Sequence, residues 1–123
     1  MKSPVIVVDS DTKQNSEFCQ LLHKNGYTYV SLTSIPELEK ALMRKSAPAV
    51  IIDIDTVEIA GRDICRFTEN FLQTYFFAVS AHAFHPELEN AIGHCIYACL
   101  SRPIDPDEIL FWLESISKNH TLN

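Results

Sequence analysis

The sequence predicts one α/β domain built on an open, doubly wound parallel sheet of five strands, each followed by a helix. Its 123 residues, 46% hydrophobic and 21% charged, suffice for a single hydrophobic core. Short apolar runs rich in β-branched and aromatic residues alternate with segments of helical period. The connections between them are only a few residues long, which favours right-handed crossovers between parallel strands.

The first strand and helix are the most clearly marked. Residues 5–8 (Val-Ile-Val-Val) are wholly apolar, as expected of a strand buried on both faces of a parallel sheet. Asp11 stands where a helix N-cap is needed, and Gly26 stands where the same helix would end in a left-handed residue. Residues 27–32 then form the second predicted strand.

The middle of the chain repeats this alternation. Ser34 and Glu37 form a predicted capping box at the start of a second helix, which must end before Pro48. Residues 49–54 are the candidate central strand, and residues 62–73 have the period of a third helix.

The last third completes the fivefold pattern. Residues 75–79 are aromatic and β-prone, Pro86 opens a short fourth helix ending near His94, and residues 96–100 form the fifth strand. The last helix starts at Asp105. We expect residues 1–119 to form the single domain and residues 120–123 to be a tail or the start of a linker.

Composition excludes several classes of function. A net charge of -6 without a Lys and Arg cluster argues against direct binding to nucleic acid or to an anionic membrane, so proteins are the expected partners. The three glycines are far apart, which excludes a glycine-rich nucleotide-binding loop. Cys19, Cys65, Cys95 and Cys99 are interpreted as thiols in a reducing compartment, with Cys19 and Cys65 buried, which predicts a cytoplasmic protein.

Polar residues end four of the predicted strands. With a sheet order of 2-1-3-4-5, Asp9, Asp53, Ser80 and Arg102 meet at the carboxyl edge, where such sheets bind ligands. Two carboxylates about 4 Å apart repel by roughly 4 kcal/mol at an effective dielectric near 20. Either one carboxyl is protonated, or a hard divalent cation such as Mg²⁺ bridges the acids.

These positions resemble a known family, the receiver domains of bacterial two-component response regulators, which have the CheY-like, flavodoxin-like (βα)5 fold. The likeness covers essentially the whole chain. Receivers carry an acidic pair after strand one, a phosphate-accepting Asp ending strand three, a Gly eight residues later, Ser or Thr then Ala after strand four, and Lys-Pro after strand five. The corresponding residues are Asp9 and Ser10, Asp53, Gly61, Ser80 and Ala81, and Arg102 and Pro103.

The resemblance implies a signalling role rather than a turnover enzyme. Asp53 would accept a phosphoryl group from the phosphohistidine of a histidine kinase or phosphotransfer protein, and the affinity for an output domain or partner protein would change. Ser80 would hydrogen-bond a phosphate oxygen, and Arg102 would replace the family lysine. Mg²⁺ would be held by Asp9, Asp53 and Asp55, the last through its backbone carbonyl or its side chain.

Several positions depart from the family pattern or modulate it. Ser10 replaces the second acid and would be a weak metal ligand, for which Asp11 or Asp55 could compensate. Asp55 and His82 flank the approach of the hydrolytic water in the family and would set the lifetime of the phosphate. Cys99 aligns with the aromatic switch residue of strand five, so the usual ring is missing. The peptide bond between Arg102 and Pro103 resembles one that is commonly cis in receivers.

The resemblance also marks an interaction surface. Tyr97, Phe111 and Trp112 fall on the face formed by the predicted fourth helix, fifth strand and last helix, where receivers form homodimers or dock output domains. Ordinary packing is the alternative interpretation of these aromatic residues.

Two other hypotheses of function stay open. The altered positions suggest a pseudo-receiver, which binds partner proteins without phosphorylation. The segments Asp9-Ser10-Asp11-Thr12 and Asp53-Ile54-Asp55-Thr56 also look like the nucleophile motif of haloacid-dehalogenase phosphatases, in which the second Asp is the general acid. The chain lacks the length for the cap domain of those enzymes.

Overall fold

The computed structural model describes residues 3–82 and 94–121, with side chains through residue 117. Within these ranges the chain forms one five-stranded sheet and four helices. The strands are β1 (Val5–Val8), β2 (Tyr29–Leu32), β3 (Ala49–Asp53), β4 (Tyr75–Ser80) and β5 (Ala98–Ser101). The helices are α1 (Thr12–Lys24), α2 (Ile35–Arg44), α3 (Gly61–Asn70) and α4 (Pro106–Thr121). The short helix predicted from Pro86 lies outside the described residues.

The sheet is entirely parallel and has the order β2-β1-β3-β4-β5, which confirms the predicted fold class and topology. In the register, Val8 lies opposite Ile52, Ile52 opposite Ala78, and Ser80 opposite Ser101. The carboxyl ends of β1, β3, β4 and β5 therefore reach the same edge. The residues that end these strands are close together although they are far apart in sequence.

The hydrophobic core has two layers, one on each face of the sheet. Alternate residues of β1 and β3 point to opposite faces: Ile6 and Val50 pack with α2 and α3, and Val7 and Ile51 pack with α1 and α4. Both strands are buried at every position, whereas the edge strands β2 and β5 are only partly buried. This burial on both faces explains the uninterrupted apolar runs of β1 and β3.

The predicted helix ends are present. The Oδ1 atom of Asp11 accepts a hydrogen bond from the backbone N–H of Gln14 at 3.0 Å, so Asp11 caps α1. Gly26, just beyond α1, has a φ of 87°, which favours glycine. At the start of α2, the Glu37 carboxylate accepts a hydrogen bond from the backbone N–H of Thr33 at 2.8 Å. The helix is buried along its apolar face.

The interpretation of the cysteines as free thiols is wrong for two of them. Cys65 of α3 and Cys95, which precedes β5, form a disulfide, with their Cα atoms 5.0 Å apart. The fold brings α3 beside the start of β5, an adjacency that a sequence separation of 30 residues does not reveal. Cys19 is buried and free, as predicted, whereas Cys99 is free but exposed. None of the described helices is long and apolar enough to cross a lipid bilayer.

Candidate functional site

The site is a cluster of charged and polar side chains at the carboxyl edge of the sheet. Asp9 follows β1 and Asp53 ends β3, and both residues are almost completely buried, at 1% and 2% exposure. Ser80 ends β4, and Arg102 follows β5. The structure therefore brings together the four residues that the strand ends predicted, because parallel strands in this register end at one edge.

Arg102 binds both buried acids. Its Nε and Nη2 atoms donate to Oδ2 of Asp53 at 2.9 and 2.8 Å, and Nη2 also donates to Oδ2 of Asp9 at 3.1 Å. The backbone N–H of Arg102 donates to the carbonyl of Ser80 at 3.0 Å, which extends the pairing of β5 with β4 beyond the strand. The peptide bond from Arg102 to Pro103 is cis, as expected. The guanidinium group thus supplies a fixed positive charge between two carboxylates.

The second oxygen of Asp53 holds the loop that follows β3. Its Oδ1 atom accepts hydrogen bonds from the backbone N–H groups of Asp55 at 2.9 Å and Thr56 at 3.0 Å. The carboxylate therefore caps its own turn and determines where the next side chains point.

Thr56 is a member of the candidate site that the sequence analysis named only within the phosphatase-like segment and gave no role. Its Oγ1 atom donates to Oδ1 of Asp9 at 2.8 Å and accepts from the backbone N–H of Ser10 at 3.1 Å. The Ser10 hydroxyl in turn donates to the Thr56 carbonyl at 2.8 Å. The signal available in the sequence was a hydroxyl three residues after Asp53, in a segment whose Asp-x-Asp-Thr pattern repeats that of residues 9–12.

Burial raises the pKa of Asp9 above its usual value, because the carboxylate loses its hydration. Hydrogen bonds from Thr56 and from the backbone N–H of Asp11 oppose this shift. The negative charge of Asp53 raises the pKa further, and the positive charge of Arg102 lowers it. Burial therefore destabilises the charged form of Asp9, and the positive charge of Arg102 offsets this destabilisation only in part.

Asp55 crosses from the loop after β3 to the end of β4. Its Oδ1 atom accepts from the Ser80 hydroxyl at 2.8 Å, and its Oδ2 atom accepts from the backbone N–H of Ala81 at 2.7 Å. The backbone N–H of His82 donates to Oγ of Ser80 at 2.9 Å. Ser80 and Ala81 thus present two adjacent donors, and both hold the Asp55 carboxylate.

The arrangement does not fit the expected Mg²⁺ ion. All four carboxylate oxygens of Asp9 and Asp53 accept hydrogen bonds within the chain, and Arg102 lies between the two groups. Ser10, which stands in place of the second acid of the receiver pair, uses its hydroxyl as a donor. Among residues 3–82 and 94–121, no three acidic, His or Cys side chains are grouped to hold a metal ion. A metal at Asp9 and Asp53 would first have to displace Arg102.

Two predicted modulating residues lie outside this cluster. The carboxylate of Asp11 caps α1, a geometry that also does not suit the general acid of the phosphatase hypothesis. Cys99 is exposed on the edge strand β5.

The three aromatic residues of the predicted interaction surface do lie together. The rings of Tyr97 and Trp112 are 5.4 Å apart in an edge-on arrangement, and those of Phe111 and Trp112 are 5.2 Å apart. Tyr97 is 38% exposed and Phe111 is 59% exposed. They form an aromatic patch beside β5 and α4, while its role as an interface stays a prediction.

Comparison with known proteins supports the fold. No family model and no curated protein matches the chain. Among solved structures, the signal receiver domain of an HD domain-containing protein from Pseudomonas fluorescens Pf-5 is similar over 100% of both chains, with 19% identity and a TM-score of 0.86. A CheY-like response regulator receiver domain protein from Methanospirillum hungatei JF-1 matches over 100% of both chains, with 14% identity and a TM-score of 0.85. A response regulator from Thermotoga maritima matches 94% of this chain and 98% of its own, with 20% identity and a TM-score of 0.78. The chain therefore has the fold of response regulator receiver domains.

Proposed function

We propose that the chain is a signalling receiver, in which Asp53 accepts a phosphoryl group from a histidine kinase or phosphotransfer protein. The modified domain then changes its affinity for an output domain or partner protein. One observation carries this proposal: Asp53 ends the central strand of a receiver fold, with Arg102 bound to its carboxylate and Ser80 at the end of the adjacent strand.

The transfer forms a bond between phosphorus and a carboxylate oxygen of Asp53 as the bond from phosphorus to the donor histidine nitrogen breaks. The imidazole leaves with the electron pair of that bond. Arg102 binds Oδ2 of Asp53 through two N–H groups, so its positive charge lies beside the carboxylate to which the negatively charged phosphoryl group would be attached. The aromatic patch beside β5 and α4 is the proposed surface for a second copy of the chain or for an output domain.

A second candidate function is protein binding without phosphorylation, as in a pseudo-receiver. The specific observation that favours it is the position of Arg102, which neutralises Asp9 and Asp53 where receivers rely on Mg²⁺. A site whose charges are already paired keeps its shape without a metal ion or a phosphoryl group.

Intact-mass spectrometry after incubation with acetyl phosphate, across a Mg²⁺ series that includes none, separates the two functions. Phosphorylation predicts the gain of one phosphoryl group by the native chain. The Asp53→Asn variant should gain none, and Asp11→Asn, which alters an acid outside the cluster, should gain as much as the native chain. A folded native chain that gains no phosphoryl group at any Mg²⁺ concentration would favour the pseudo-receiver.

A further inference from the structure

The contact between Asp55 and the end of β4 has the geometry of a bound anion. The hydroxyl of Ser80 and the backbone N–H of Ala81 point to the two oxygens of one carboxylate, at 2.8 and 2.7 Å. The Ser80 contact has an ordinary O–H···O length, and the Ala81 contact is short for an N–H donor, as expected when the acceptor is charged. The bound group is the side chain of the chain's own Asp55.

The surrounding hydrogen bonds orient each partner. The backbone N–H of His82 donates to Oγ of Ser80, which leaves the Ser80 hydroxyl proton directed at Asp55. On the other side, Oδ1 of Asp53 holds the backbone N–H of Asp55 at 2.9 Å. Since β3 and β4 are paired neighbours, this turn delivers the Asp55 side chain to the end of β4.

A phosphoryl group on Asp53 would use the Ser80 hydroxyl, because Ser80 is the proposed hydrogen-bond donor to a phosphate oxygen. The backbone N–H of Ala81 is the donor next to it, on the same Asp55 carboxylate. A phosphoryl dianion and the Asp55 carboxylate cannot both occupy two donors, and their like charges repel at contact distance. Among the residues that the structure describes, Arg102 is the cationic side chain beside the acids of this edge, and it already binds Asp9 and Asp53.

We propose that Asp55 is an internal occupant of the phosphoryl-binding donors of this site, so that a phosphate or phosphoryl group binds Ser80 and Ala81 only after the Asp55 side chain has moved away. This inference rests on the proposed function for its biological meaning. Asp55 then acts as a gate. The apparent affinity of the site for phosphate is the intrinsic affinity multiplied by the fraction of time that the donors are open.

The test is titration of inorganic phosphate against the native chain and Asp55→Ala, followed by the amide resonances of Ala81 and His82 in nuclear magnetic resonance spectra. Asp55→Ala should bind phosphate with a Kd at least about tenfold lower than the native chain, because the competing carboxylate is absent. The matched control is Glu58→Ala, which removes an exposed acid from the same loop and gives the same change in net charge.

Glu58→Ala should leave the Kd within about twofold of the native value, since general charge effects are weak at exposed sites. Equal phosphate affinities in Asp55→Ala and Glu58→Ala, or shifts confined to amides away from β4, would overturn the proposal. If Asp55→Ala fails to fold, Asp55→Asn serves instead, since its neutral amide offers one acceptor oxygen in place of two and should still bind phosphate more tightly than the native chain.

The measurement uses phosphate without a phosphodonor, so it does not depend on transfer to Asp53. If Asp53 proves not to be phosphorylated while Asp55→Ala gains phosphate affinity, the gate stands and the proposed function fails. If Asp53 is phosphorylated but phosphate binds the Asp55→Ala and native chains alike, the proposed function stands and the gate is wrong.

Discussion

Replacing Arg102 by methionine tests the charge arrangement of the site most directly. Arg102 makes three hydrogen bonds to two carboxylates whose side chains are only 2% exposed. Removing one partner of a buried ion pair costs about 3–5 kcal/mol, because the remaining charges stay buried without compensation. The Arg102 side chain is 18% exposed, so water reaches it partly. We therefore expect a loss near the lower limit, about 3 kcal/mol of unfolding free energy.

The assay is urea unfolding at neutral pH, followed by the fluorescence of the single tryptophan, Trp112, which packs against Tyr97. Asp53→Asn and the double variant with Arg102→Met complete a mutant cycle. The coupling free energy between the two positions should be about 1–3 kcal/mol, because each substitution removes the same contact. Arg102→Lys should lose less than Arg102→Met, since it keeps the charge without the planar two-donor geometry.

An Arg102→Met variant within about 0.5 kcal/mol of the native chain would refute this reasoning, because that is the range of an ordinary surface substitution. Additive effects in the mutant cycle would refute it too. Either result would mean that Arg102 is not bound to buried carboxylates in solution, and the case for a site neutralised without a metal ion would fail with it.

Three further outcomes are expected elsewhere in the chain. Replacing both Cys65 and Cys95 by serine should lower the unfolding free energy by about 3–4 kcal/mol, because the disulfide closes a loop over a separation of 30 residues. Thiol titration of the unfolded native chain should find two free thiols before reduction and four after it. Hydrogen bonds from Thr33 hold the pKa of Glu37 below its ordinary 4.5, so stability from this ionised group is present above pH 4.5 and lost as pH falls through the lower folded-state pKa. The urea midpoint of Glu37→Gln should therefore fall less than that of the native chain on acidification below pH 4.5, and parallel curves would contradict this. Asn15→Ala should cost about 2–3 kcal/mol in the same assay, because its buried amide donates to the carbonyls of Asp9 and Leu32; a loss under about 0.5 kcal/mol would show that these carbonyls find other donors.

The fold could be predicted because its signals are local. Val5–Val8 is uninterrupted by polar residues since both faces of β1 are covered, and Asp11 and Gly26 mark the ends of α1 through backbone geometry that few residues provide. Boundaries were less accurate than the elements themselves. The second strand begins at Tyr29 rather than residue 27, and α3 ends at Asn70 rather than residue 73.

The residues that form the site could be predicted for a different reason. In a parallel sheet each strand ends at the same edge, so Asp9, Asp53, Ser80 and Arg102 could be placed there from strand order alone. The pairing among them could not be predicted in this way. Which oxygen meets which donor depends on the register, which is set by contacts across strands, and on the turn after β3, which the Asp53 carboxylate itself caps.

The sequence by itself determined the α/β class and the residues that end the strands, because periodicity, helix caps and strand ends are written in neighbouring positions. The sheet order was an expectation drawn from that fold class, and the structure confirmed it. Only the tertiary structure decided that Arg102 binds Asp9 and Asp53, that Asp55 occupies the donors of Ser80 and Ala81, and that Cys65 meets Cys95. These contacts join segments up to 93 residues apart. Hydrogen bonds and disulfides require distances within a few tenths of an ångström, and only the packed sheet and its loops set distances that closely.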